Sequence, residues 1–99
     1  MQTLGQKLRE LREKDSLLLR EVAAALQMDT ALLSKIERDE RLPNKDQVIS
    51  FAKYYKVNSD DLLIEWLSDK LALEVENEDV GLKAMQVAEE KIKHKKNRK

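Results

Sequence analysis

Cysteine is absent from the 99 residues, which excludes a disulfide framework and a thiolate-held metal. Glycine occurs twice, proline once, and the aromatics are two Tyr, one Trp and one Phe. With Leu, Ala, Glu and Lys abundant, this scarcity points to an all-α protein. No apolar run approaches the roughly 18 residues that a membrane-spanning helix needs. The first residues carry no charged-then-apolar signal segment, so a cytoplasmic location is the default expectation. Charge of one sign is also missing, since 19 Lys/Arg balance 19 Asp/Glu. Total charge therefore lends no support to a nucleic-acid partner. The length predicts one small domain, with an appendage at most.

The charge is unevenly placed. Residues 1–58 carry 11 basic and 9 acidic side chains, residues 59–90 carry 2 and 10, and residues 91–99 carry six bases and no acid. The chain runs from mildly basic to acidic to strongly basic.

Helix signals recur along the sequence. Thr3 with Gln6 predicts a capping box, and Leu4, Leu8 and Leu11 follow at the spacing of one helical face. That helix should end near Lys14 to Ser16. A second helix is predicted from about Leu18 to Leu26, with Leu19, Val22, Ala23 and Leu26 inward. A third begins at Asp29 or Thr30, both good N-caps, and runs to about Glu37 with Leu33 and Ile36 inward. After a loop over 38–43, Asn44 with Gln47 opens a fourth helix that buries Val48, Phe51, Ala52 and Tyr55. Asn58 opens a fifth, with Asp60 and Asp61 favouring its positive end. A sixth helix is expected from about Asp79 to Lys93. Residues 95–99 read as a basic disordered tail.

The segment Glu21–Glu37 stands out as two short amphipathic helices joined by a tight turn. A small residue, Ala23, sits where the helices must cross closely, and Leu26, Met28, Leu33 and Ile36 seal the corner. Residues 4–62 resemble the phage-repressor or Xre type of helix-turn-helix domain. The matching positions include Leu8, Leu11, Arg12, Leu17, Val22, Ala23, Leu26, Met28, Leu33, Ser34, Ile36, Glu37, Arg38, Arg41, Pro43, Val48, Ala52, Tyr55, Val57 and Leu62. The resemblance implies an all-α, five-helix repressor-type bundle over residues 1–70, and the residues that follow read by themselves as a C-terminal helical extension over 71–94, expected to serve dimerisation. The resemblance further implies a sequence-specific transcriptional regulator of double-stranded DNA, expected to be a repressor, with the third helix (about 29–37) in the major groove.

By the same resemblance, the base-facing residues are Thr30, Ala31, Leu32 and Lys35, with Ser34 near the backbone and Arg38 and Arg41 on phosphates. The methyl groups of Thr30, Ala31 and Leu32 suit thymine, and Lys35 suits guanine or a phosphate. Two departures bear on this reading. The family often has Ser-Gln at the start of the second helix, where this chain has Leu18-Leu19, which shifts any backbone contact there to Arg20. It also often has Gly at positions 16, 27, 39 and 56, where this chain has Ser16, Gln27, Asp39 and Lys56. If those positions need positive φ, each costs about 1 kcal/mol relative to Gly.

The apolar face of Trp66, Leu67 and Leu71, joined by Met85 and Ile92, exceeds what one small bundle covers and is expected to form a homodimer. No Gly-rich phosphate loop, metal cluster or nucleophile constellation is present, so neither catalysis nor a cofactor is expected. His94, the single histidine, lies in the Lys-rich tail as a solvated group. The competing reading is a protein-interaction adaptor, or an antitoxin-type partner-binding protein, that kept the fold and uses Leu18, Leu19, Ala31 and Leu32 as a sticky surface.

Overall fold

The structure is a computed structural model and describes residues 1–97. It is all-helical, with six helices among the described residues: α1 (Leu4–Lys14), α2 (Leu19–Ala25), α3 (Thr30–Glu37), α4 (Lys45–Tyr55), α5 (Ser59–Val75) and α6 (Gly81–Asn97). The starts follow the predicted caps. Thr3 and Asn44 close reciprocal capping boxes with Gln6 and Gln47, and Asn58 accepts from the amides of Asp60 and Asp61. For α3 the cap is Asp29, whose side chain accepts from the Ala31 amide. At α2, Leu18 has no capping side chain, and Glu21 instead accepts the Leu18 amide at 2.9 Å.

Helices α1 to α5 share one core. Leu4, Leu8 and Leu11 of α1 meet Val22 and Ala23 of α2, Leu33 and Ile36 of α3, Phe51 and its neighbours on α4, and Leu62 of α5. Tyr55 is in this core, while Tyr54 packs edge-on against it from a more open position. Burial raises the Tyr55 phenol pKa, and its hydroxyl has no hydrogen-bond partner among the described residues.

The ends of the first four helices share one design. After α1, α2, α3 and α4 a single residue turns to positive φ: Ser16 (55°), Gln27 (53°), Asp39 (62°) and Lys56 (57°). These are the four positions at which the family resemblance places glycine. In each case the next residue donates its amide back to the last helical turn: Leu17 to Arg12, Met28 to Ala23, Glu40 to Lys35 and Val57 to Ala52, at 2.8–3.1 Å. This is the Schellman arrangement, and it satisfies carbonyls that a helix end otherwise leaves open.

Two contacts lock α1 onto the rest. Arg12 makes a forked pair with Glu37 at 2.9–3.1 Å and donates to the Leu17 carbonyl at 2.8 Å. Both side chains are largely removed from solvent, and the Glu37 hydrogen bonds raise the pKa of the guanidinium. At the other end of α1, Gly5 lies so close to α3 that an added Cβ would stand 2.5 Å from the Ile36 carbonyl oxygen. The first amides of α1 are taken by carboxylates distant in sequence. Leu4 donates to Asp69 at 2.8 Å and Gly5 to Asp39 at 3.2 Å, while the Thr3 hydroxyl donates to Asp39 at 2.7 Å.

Helix α5 runs unbroken across the expected boundary at residue 70. A short turn then leads into α6, where Gly81 approaches the Val75 carbonyl too closely for a side chain. Beyond Gly81, α6 is exposed along most of its length. The expectation of disorder over 95–99 is corrected for residues 95–97, which continue α6. The run of lysines is compatible with a helix because basic side chains favour its C-terminal end. Arg98 and Lys99 lie outside the described residues.

Removing one member of a buried ion pair strands the other. Glu37→Ala should therefore cost roughly 3–5 kcal/mol in urea unfolding, whereas Arg12→Met with Glu37→Leu should recover most of that loss. Glycine at the strained caps acts in the opposite direction. Gln27→Gly and Lys56→Gly should each raise stability by about 0.5–1 kcal/mol, read as a higher Tm. Asp39→Gly should not stabilise, because it also removes the acceptor for Gly5 and Thr3.

Candidate nucleic-acid interface

The α2–turn–α3 unit is built as its sequence requires. Val22 and Ala23 are fully buried, and Ala23 lets α3 cross α2 closely. The Met28 amide closes the end of α2 on the Ala23 carbonyl at 2.8 Å, and Asp29 starts α3 immediately. Leu33, Ile36 and Glu37 form the inward side of α3. With 3.6 residues per turn, Ala31, Lys35 and the C-cap Arg38 fall on the opposite side.

The expected reading residues are brought together on α3 but differ in exposure. Thr30, Ala31 and Lys35 are exposed, whereas Leu32 and Ser34 are half-buried and Leu32 packs partly on the core. Lys35 has no ion-pair partner among the described residues. Arg38 is exposed but engaged, pairing with Glu40 at 3.0 Å and donating to the Ser34 carbonyl. Arg41 is exposed in the loop after α3 and has no ion-pair partner among the described residues, and Arg20 is exposed on α2. Asp39, which by sequence opposes an anionic partner, is turned to the N-terminus of α1, so its charge is met by the Gly5 amide and the Thr3 hydroxyl.

The residues expected at a dimer interface separate into two sets. Trp66 is half-buried against its own core, and its indole N–H donates to the Pro43 carbonyl at 2.8 Å. Leu67 and Leu71 are 49% and 46% exposed, and Ile64 extends the same strip at 64%. On α6, Met85 is half-buried and Ile92 is 55% exposed.

Sequence reasoning missed Lys45 and Lys70. They share a cleft with Arg41 beside α3, and Lys70 Nζ lies 5.2 Å from the centroid of the Trp66 ring. The charge of each residue is visible in the sequence, but their meeting depends on how α4 packs on α5. Among the described residues there is no group of His, Asp or Glu able to hold a metal ion, and no helix is long and apolar enough to cross a membrane.

Comparison with known proteins bears on this geometry. A family model described as a helix-turn-helix domain matches residues 3–66. The HTH-type transcriptional regulator DdrOP3 of Deinococcus deserti is 35% identical over 71 residues, which cover 70% of this chain and 55% of that protein. The HTH-type transcriptional regulator ImmR of Bacillus subtilis is 36% identical over 61 residues, covering 62% of this chain and 48% of that protein. The chain spans about half the length of these curated relatives. The matched region takes in α1 to α4 and the first half of α5, the same helices that share the core, and on that extent the chain belongs to the helix-turn-helix domain family, in its Xre type.

Proposed function

We propose that the chain is a homodimeric, sequence-specific DNA-binding transcriptional regulator that acts as a repressor in the cytoplasm. The observation that carries this reading is the outward side of α3. Ala31 and Lys35 are presented to solvent by a helix whose other side is pinned through Glu37 to Arg12. A helix held in this way is suited to entering a major groove as a rigid body. Methyl groups from Thr30 and Ala31 would meet thymine, and Lys35 would meet guanine or a phosphate. Arg20, Ser34, Arg38 and Arg41 flank the helix as backbone contacts. The two relatives, both named as HTH-type transcriptional regulators, support the same reading.

In this proposal α1 to α5 form a five-helix DNA-binding bundle, and α6 is an arm for pairing. The strip of Ile64, Leu67 and Leu71 supports a dimer, because a contiguous exposed apolar strip is stabilised when a second copy covers it. Met85 and Ile92 would extend that interface along α6. A dimer places two α3 helices against two half-sites and so reinforces a reading face poor in long polar side chains.

The adaptor reading draws on Leu18, which is 50% exposed at the start of α2. It is separable from DNA binding by charge. Gel shifts with DNA from the region upstream of its own gene should give a selective, salt-sensitive complex at micromolar protein. Lys35→Glu should weaken that complex about tenfold or more. A complete absence of selective binding by the unaltered protein would overturn the DNA reading and favour the adaptor. For the dimer, light scattering should show the mass falling by half in Leu67→Glu/Leu71→Glu, and an unchanged mass would remove these leucines from the interface.

A further inference from the structure

An open cleft of about 470 Å³ lies between α3, the loop that follows it, the first turn of α4 and the middle of α5. Leu32, Pro43 and Trp66 supply apolar lining, and Arg41, Lys45 and Lys70 supply charge. No Asp or Glu lines the cleft, and none of the three cations has an ion-pair partner among the described residues. This concentration is unusual in a chain whose formal charge is zero. Three like charges around one cleft repel each other, and Arg41 has carboxylates nearby, those of Asp39, Glu40, Asp69 and Glu76 in a neighbouring cleft. The three cations are stabilised when an anion joins them.

Trp66 organises the cleft. Its N–H is fixed on the Pro43 carbonyl, and Lys70 Nζ stands over its ring. The ring face attracts the ammonium group, which holds Lys70 beside Trp66 in the cleft lining. Leu32 belongs both to this lining and to α3, so the cleft is continuous with the candidate reading helix.

We infer that this cleft seats a backbone phosphate of nucleic acid, with Lys45 and Lys70 joining Arg41 as contacts, so that the footprint extends from α3 onto α5. The inference rests on the DNA-binding reading above and adds two residues and an element to it. A phosphodiester fits because contact with the lysines is electrostatic and carries no sequence information. Free phosphate has the same chemistry, and the experiment separates the two sources.

Trp66 is the only tryptophan, so its emission reports the cleft directly. The full chain is titrated with a short duplex carrying the sequence selected by the unaltered protein, and separately with inorganic phosphate. The duplex should shift Trp66 emission. Lys45→Gln/Lys70→Gln should shrink that shift and weaken binding about tenfold, equally for selected and unselected duplexes. The slope of log affinity against log salt should fall by about 0.9 for each lysine. Lys53→Gln, on α4 outside the cleft, should change none of these, and circular dichroism verifies that the variants stay helical.

If the double variant keeps its affinity and salt slope while the unaltered protein binds DNA, the cleft is not the phosphate seat and the DNA reading stands. If inorganic phosphate shifts the emission at millimolar concentration and the double variant loses only that response, the cleft is a free-anion site and the inference is overturned. If the unaltered protein binds no DNA, the inference falls together with the DNA reading.

Discussion

The forked pair between Arg12 and Glu37 is the contact on which the placement of α3 depends. One guanidinium reaches the C-terminal turn of α3 and the carbonyl of Leu17 at once. It therefore joins α1, the turn after α1 and α3 in a single polar knot inside an otherwise apolar core. An Arg side chain suits this task because its planar fork matches a carboxylate and leaves an N–H for a third partner. The outward residues of α3 inherit their direction from this knot, since a rotation of the helix would break the three hydrogen bonds between Arg12 and Glu37.

Around the knot, local turns share the work. Four helices end on the same backbone design, each with a side-chain-bearing residue in the left-handed region. The design is retained although every one of these residues strains it. Asp39 is the informative case. Its backbone closes α3, and its side chain caps α1. A position where the family resemblance places glycine is thus occupied by a residue that trades backbone ease for a link between two helices.

Much of the fold was legible because its signals are local. Thr3, Asn44 and Asn58 with their partners three residues on marked helix starts, and the stripes of α1 and α4 marked their buried faces. The grouping on α3 was legible through the family resemblance and the compact spacing from Thr30 to Lys35. The roles of Asp39 and Asp69 were hidden because they meet α1 across 34 and 65 residues of sequence. The same holds for the cleft, whose three cations come from a loop and two helices. Trp66 read as surplus apolar surface, yet an indole with an N–H donor settles where a carbonyl is free, and Pro43 supplies one. The end of α6 was misread because a dense run of lysines is characteristic both of solvated coil and of a helix C-terminus.

The inward turn of several carboxylates has an electrical consequence. Glu37 faces Arg12, and Asp39 and Asp69 face the amides of α1, so these negative charges are partly spent within the fold. Arg41, Lys45 and Lys70 keep their charge open to solvent near α3, while Glu74, Glu76, Glu78 and Asp79 stay exposed near the turn into α6. A chain that is neutral by count therefore carries its charge unevenly, with an exposed acidic turn between the cations near α3 and the lysines of α6. Such a molecule experiences a torque in the field of a charged polymer and can be oriented before any contact forms, an effect that shortens with the Debye length as salt is added.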